Sequence, residues 1–485
     1  MGETEVFGLA VLFGALALVA AIAGNTVGSR IRVPAPALFL IVSAIASDVF
    51  PVLARVPLVD DERIVTVALI LILFDGGMHI GWRRFRASAG PITWVGIAGT
   101  AVTAAAVAVV ARFLFGLEWQ AALLLGAALS PTDPAVVFAV LGKRDIEGRS
   151  GTILEGESGV NDPVGIALLA ALLAAGSGAG AVGSGVGDFL LQMVVGGAVG
   201  LAGGWLLRLL MRRVPLPNES LYPLRTIAFA ALVYGAAAVL HGSGYLAVFL
   251  AGIVVGEVDA PYHAEVRRFS SGLSSLAEIV AFTVLGFTIS WRDVLAPAVL
   301  LPGLAIAALL ILVIRPVLVG ALLAPIRLAV GERVFIVLAG LKGAVPILLG
   351  ILIRDAHVPG GDRLANVIFI VVLVSVVVQG GAVPLLASWL KVPMRLVEQQ
   401  PYAAGLRFNR EPQGLQHFRV APGSPADGAA VGELSLGENG WVSMVRRDGG
   451  SVRLTGRTRL EAGDEVLAFA DPDLDVTELF GEPAG

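Results

Sequence analysis

The chain has 485 residues and no cysteine, which excludes disulfide staples and thiolate metal centres. Histidine is scarce: His79, His241, His263, His357 and His417 share no metal-ligand spacing, and no chemistry is assigned to them. Charge is scarce as well. Asp, Glu, Lys and Arg make up only 15% of the residues, and the net charge of −4 is too small to point to nucleic acid or any other highly charged partner. No GxxxxGK[ST] loop is present to cradle a nucleotide's phosphates. No TVGYG-like run is present to form a potassium-channel filter. The start, Met1-Gly2-Glu3-Thr4-Glu5, lacks the basic region of a signal peptide, so the apolar run behind it is expected to be a retained span.

Apolar sequence is what the chain has in excess: 56% of residues are hydrophobic and the mean hydropathy is +0.84. Runs such as Phe7–Gly24, Trp94–Leu114 and Leu364–Gln379 are apolar on nearly all sides. Most approach the roughly 20 residues needed to cross hydrocarbon. A cytosolic helical protein of this length has no use for them. The fold class is therefore an all-α polytopic membrane protein with about thirteen spans. They are read at 7–24, 33–50, 63–80, 91–115, 120–141, 151–176, 187–210, 224–241, 244–258, 272–290, 294–325, 333–354 and 363–389. The segment 294–325 is long enough to be one tilted helix, so twelve or fourteen spans also fit.

The arginines set an orientation. With the N-terminus outside, the inner loops hold Arg30, Arg32, Arg83, Arg84, Arg86, Lys143, Arg144, Arg149, Arg212, Arg213, Arg267, Arg268, Arg327 and Arg333. The outer loops hold far fewer, which satisfies the positive-inside rule and places the C-terminus in the cytoplasm. There the character changes. Residues 1–390 form the membrane domain, 391–404 a polar linker, and 405–485 a small α/β module of short strands, Gln416–Val420, Trp441–Arg446, Val452–Leu454 and Glu465–Phe469, with a closing helix Leu474–Phe480. A module of that size is marginal alone, which favours pairing with a second copy.

Charges inside spans are costly and usually functional or paired. Asp133 lies in Ser130-Pro131-Thr132-Asp133-Pro134, where two prolines remove backbone donors inside an apolar run. Carbonyls freed near Thr132 can face a cation beside the carboxylate, as on the broken helices of transporters. A kinked helix with a capping Asp is the plainer alternative. The next span carries Glu157-Ser158-Gly159-Val160-Asn161-Asp162-Pro163, with Glu157/Asn161 and Ser158/Asp162 each one turn apart. A hard monovalent cation needs several oxygens and a negative charge; Asp162, Asp133, Ser158, Asn161 and Thr132 can supply them. A self-satisfied polar cluster is the alternative here.

Arg315 stands alone in Leu312-Val313-Ile314-Arg315-Pro316 and needs an internal anion, for which charge balance nominates Glu157. Lys342 lies in Gly340-Leu341-Lys342-Gly343-Ala344-Val345-Pro346, a second broken stretch in the position corresponding to 130–134, the pattern of inverted repeats. Asp75, near a helix end in Phe74-Asp75-Gly76-Gly77, is as well suited to capping or packing as to an ion path. Glu278 is read as either structural or an auxiliary proton site, and Glu257 as solvated at an interface.

The motifs Phe74–Gly77, Thr132-Asp133-Pro134, Glu157–Pro163 and Gly340–Pro346 resemble those of the monovalent cation:proton antiporter-1 family, over roughly residues 10–390. Within it the chain looks most similar to the cell-volume-regulation type of potassium/proton antiporter. The resemblance implies a thirteen-helix dimer with two interrupted helices crossing at mid-membrane. It implies Asp162 as the main ion- and proton-binding carboxylate, assisted by Asp133, Ser158 and the Thr132 backbone, and a Glu157–Arg315 pair. Asn161 in place of an Asp implies electroneutral exchange. Lys342 stands where the family usually has Arg, and an acid at 278 is not expected. Residues 405–481 resemble the TrkA-C regulatory domain, whose relatives often dimerise and bind small ligands such as cyclic dinucleotides.

The expected mechanism is competition at one site in the bacterial inner membrane. Removal from water favours a protonated carboxylate, and a bound cation favours the charged one, so Asp162 holds either a proton or a cation. No resident cofactor and no enzymatic activity are expected. K⁺ is the favoured cation, with Na⁺ (or Li⁺) the alternative. A regulated cation channel and an intramembrane aspartyl protease are the rival classes.

Overall fold

A computed structural model describes residues 12, 19, 35–50, 58–141, 144–146, 148–175, 181–258 and 260–396. In the C-terminal part it describes 415–434, 436, 441–447, 450–452, 454–469 and 477–480. The expected span 7–24, but for two residues, and the linker beyond 396 lie outside them. The chain divides into two units, Met1–Val397 and Glu398–Gly485.

The first unit is helical. Its helices are α1 (Ala35–Val49), α2 (Leu58–Ile80), α3 (Trp82–Phe115), the pair α4 (Trp119–Leu129) and α5 (Ala135–Leu141), α6 (Arg149–Ala175), α7 (Ala181–Arg213), α8 (Leu221–Val239) and α9 (Gly244–Val255). Then come α10 (His263–Phe287), α11 (Pro297–Leu323), a second pair α12 (Val330–Leu338) and α13 (Ala344–Asp355), and α14 (Gly361–Trp389). Among the described residues, eight helices (α2, α3, α6, α7, α8, α10, α11 and α14) are long and apolar enough to cross a membrane.

Small residues bring these helices together. In lipid no hydrophobic force draws one apolar helix to another, so backbones must approach closely for dispersion to bind them. Gly196, Gly200 and Gly204 recur at intervals of four on one face of α7. A β-carbon on any of them would collide with Ser243, which caps α9, or with Ala247 or Ala251 within it. The other side of α9 meets α2, where Gly252 and Gly256 lie against the backbone of Phe74 and Met78.

One boundary differs from the sequence reading, and the long segment 294–325 is a single span, as expected. The helix expected from 91 begins at Trp82, so Arg83, Arg84 and Arg86 are helical rather than in a loop; Pro91 lies inside it and a wide turn, Trp94–Ala98, follows. Hydropathy marks where lipid begins, not where a helix does. The segment 294–325 is one helix, Pro297–Leu323, with a wide-turned stretch Leu310–Val319 around Arg315-Pro316. Pro316 has no N–H to give, and π-type turns accommodate such a gap.

The expected linker begins as structure. Strand β1 (Arg144–Ile146) pairs antiparallel with β2 (Met394–Leu396), tying the exit of α5 to that of α14. In the second unit β3 (Leu415–Arg419), β4 (Trp441–Arg447), β5 (Gly450–Ser451) and β6 (Glu465–Phe469) form an antiparallel sheet of order β3-β6-β4-β5. Of the expected strand Val452–Leu454, the two described residues, Val452 and Leu454, are not in a strand, although Val452 N–H still donates to Val445 O at 2.9 Å. The described part of the closing helix is Thr477–Phe480. Phe418, Val445, Leu460, Val466 and Phe480 fill the core.

Candidate cation and proton site

Helix α4 stops at Leu129 and α5 starts at Ala135, because Pro131 and Pro134 cannot donate to the helical ladder. Helix α12 stops at Leu338 and α13 starts at Ala344, across a stretch containing Gly340 and Gly343. The two breaks touch: Asp133 N–H donates to Leu341 O at 2.8 Å. A β-carbon on Gly343 would overlap the Asp133 carboxylate, and one on Gly340 would overlap the Arg315 guanidinium. Glycine at both positions is what lets the two breaks close on the charged groups.

Each first half-helix ends on unpaired carbonyls carrying the negative end of the helix dipole. Both ends receive a cation. Lys342 Nζ donates to Ser130 O at 3.1 Å and Pro131 O at 2.9 Å, and its side chain is wholly buried. Arg315 Nε donates to Val337 O at 2.9 Å, and its Nη2 to Glu157 Oε1 at 2.8 Å. Arg315 and Glu157 are 4% and 2% exposed, so the pair is fully desolvated.

Helix α6 supplies the third wall. Thr132 N–H donates to Asn161 Oδ1 at 3.2 Å, Asn161 Nδ2 donates to Thr132 Oγ1 at 2.7 Å, and Ser158 Oγ donates to Thr132 O. Asn161 and Ser158 thus hold the broken backbone in place through every polar group of Thr132. Close packing makes this reach feasible: β-carbons on Gly159 and Gly165 would collide with Phe249 and Pro131. One turn on, Asp162 is buried, and its Oδ1 has no hydrogen-bond partner. It lies within electrostatic reach of Asp133 and Lys342.

Of the auxiliary residues, Glu278 on α10 faces the same place. Its Oε1 is buried without a hydrogen-bond partner, and it interacts electrostatically with Asp133. Asp75 stands apart, inside α2, accepting from Ser271 Oγ at 3.1 Å, with His79 Nδ1 3.4 Å away. Glu257 pairs with Arg83 at 3.1 Å. Ser375 and Gln379 were not singled out in the sequence. Lys342 N–H donates to Ser375 Oγ at 3.0 Å, Ser375 donates to Gln379 Oε1 at 2.9 Å, and Gln379 Nε2 donates to Leu338 O. These hold the second break. Their signal was two lone polar residues one turn apart in an apolar run.

Residues 14–389 match the family described as sodium/hydrogen exchanger, transmembrane, and residues 415–481 match the TrkA-C domain. The chain is 36% identical over 394 residues to the K(+)/H(+) antiporter NhaP of Alkalimonas amylolytica, covering 80% of this chain and 68% of that one. It is 32% identical over 462 residues to the K(+)/H(+) antiporter NhaP2 of Shewanella sp. (strain MR-4), covering 93% and 79%. Its fold is similar to the solved structure of the sodium proton antiporter MjNhaP1 from Methanocaldococcus jannaschii, with a TM-score of 0.66 at 21% identity, over 78% of this chain and 100% of that one. The chain belongs to the transmembrane sodium/hydrogen exchanger family and carries a TrkA-C domain.

Proposed function

We propose that the chain is a secondary antiporter exchanging one monovalent cation, K⁺ in preference to Na⁺ (or Li⁺), for one proton by competition at Asp162. The carrying observation is the buried, unpartnered Asp162 Oδ1 within a cluster of Asp133, Glu157, Arg315 and Lys342. Glu157 and Arg315 cancel, and Lys342 balances one of the two aspartates. One negative charge is left over when these five groups are ionised and the buried Glu278 beside Asp133 carries its own proton. A proton or a single monovalent cation neutralises it, and a second of either leaves the cluster positive. Buried net charge is strongly disfavoured, so the site is filled once, by one or the other. This supports the electroneutral stoichiometry that Asn161 suggests.

Asp133 and Asp162 carry the cation, with oxygens of Ser158, Thr132 and Asn161 close by. Lys342, Asp75 and Glu278 are auxiliary. K⁺ is preferred because the relatives at 31–36% identity named above and their kin are named K(+)/H(+) antiporters. Residues 1–390 are the exchanger, 391–404 the linker and 405–485 the regulatory domain, which binds a small nucleotide ligand of the cyclic dinucleotide kind. The protein is a homodimer in the bacterial inner membrane, its N-terminus outside and its C-terminal domain cytoplasmic, as the arginine distribution supports.

The test is cation-induced dequenching of a ΔpH-sensitive dye in everted vesicles, with K⁺ and Na⁺, for wild type and Asp162→Asn. K⁺-driven dequenching lost in the variant is the expected result. Dequenching by Na⁺ alone overturns the cation assignment, and full activity in the variant overturns Asp162.

A further inference from the structure

Helices α3 and α7 are too long for a bilayer. They have 34 and 33 residues, about 50 Å each at 1.5 Å per residue, against about 30 Å of hydrocarbon. The excess is basic in both. Helix α3 opens with Trp82-Arg83-Arg84-Phe85-Arg86, and α7 closes with Trp205, Arg208, Arg212 and Arg213; neither 82–93 nor 205–214 contains an acid.

These two ends meet. The rings of Trp82 and Trp205 lie edge to face at 6.0 Å, and Phe85 is 6.4 Å from Trp82. The Arg208 guanidinium lies 4.8 Å from the centre of the Trp205 ring. Arg84, Arg86, Arg212 and Arg213 are exposed. Arg83 is bonded to Glu257, but among the described residues Arg84, Arg86, Arg208, Arg212 and Arg213 have no carboxylate partner. On the α7 side Trp205, Leu206 and Leu209 are 46%, 47% and 44% exposed.

Tryptophan rings sit at headgroup depth, so the arginines stand among or just beyond the phosphates and the exposed leucines among acyl chains. We propose that this surface is a binding site for an anionic glycerophospholipid of the phosphatidylglycerol kind. Guanidinium groups pair with a phosphodiester through two parallel hydrogen bonds. A zwitterionic headgroup brings its own cation and leaves the arginines uncompensated. The site bears on the exchanger's frame, because Ile92 and Gly96 of α3 pack directly on Gly156 and Val160 of α6, the helix carrying Asp162.

The test is tryptophan quenching of the full-length protein in bilayers containing dibrominated phosphatidylglycerol or dibrominated phosphatidylcholine. In the wild type, phosphatidylglycerol should quench at lower mole fraction. The difference should collapse in the quadruple variant Arg84→Gln/Arg86→Gln/Arg212→Gln/Arg213→Gln, by roughly five-fold for each arginine removed. It should also shrink in Trp82→Phe/Trp205→Phe. The charge-preserving Arg212→Lys/Arg213→Lys should keep the preference, which separates lost charge from lost fold. Equal quenching by both lipids in the wild type overturns the proposal. So does an undiminished preference in the quadruple variant.

Discussion

Replacing Arg315 by methionine removes one partner of an ion pair whose side chains are 4% and 2% exposed. It leaves Glu157 charged and buried, with its Oε2 already lacking a hydrogen-bond partner. Breaking a buried pair in this way costs about 3–5 kcal/mol. The Val337 carbonyl at the end of α12 also loses its donor, for roughly 1–3 kcal/mol more. The double variant Glu157→Leu/Arg315→Met removes the stranded charge, so only the second cost remains. The difference between single and double variants is the coupling. In thermal unfolding of the detergent-solubilised protein, Arg315→Met should lower the apparent Tm by on the order of 5–10 °C, and the double variant should recover about half of that or more. Arg315→Met as heat-stable as the wild type, or a double variant no better than the single, refutes the reasoning.

Two further outcomes follow from the geometry. Gly343→Ala places a methyl group on the Asp133 carboxylate; exchange in everted vesicles should fall at least ten-fold while expression and the apparent Tm change little, since the clash is confined to the break. In the second unit, Arg447 Nε and Nη2 each donate to Asp464 at 2.8 Å, and Asp464 is 1% exposed. The Arg447 hydrogen bonds hold the Asp464 carboxyl below its ordinary value. A depressed carboxyl stabilises the fold above its unfolded value of about 3.9 and loses that contribution as pH falls through its folded value. Amide protection of β4 and β6 in the full-length protein, corrected for intrinsic exchange, should therefore drop below about pH 4 in the wild type. It should already be low and pH-independent in Asp464→Asn.

The breaks could be read from the sequence because proline and glycine act locally. Pro131 and Pro134 end α4 wherever the rest of the chain lies, and Gly340 with Gly343 marks the second break. Partners are a different matter. Arg315 and Glu157 could be paired on charge balance, each being alone in apolar surroundings. Nothing in the sequence shows that Lys342 reaches back 211 residues to the Pro131 carbonyl, because a carbonyl acceptor has no residue signature. Ser375 and Gln379 point to each other by their spacing, but the groups they hold, the Lys342 N–H and the Leu338 carbonyl, have no residue signature either. The start of α3 was misplaced because Arg83, Arg84 and Arg86 break the apolar run without breaking the helix. Strands β1 and β2, three residues each, are too short for alternation to register.

The central claim is that one carboxylate holds either a proton or a cation. It is tested most directly without transport, by titrating K⁺ into purified protein in a weakly buffered solution and recording proton release. The account predicts saturable release of about half a proton per bound K⁺ at the pH where Asp162 is half protonated, rising toward one as the pH is lowered, and none from Asp162→Asn. Saturable K⁺ binding with no proton released, or undiminished release from the variant, contradicts it.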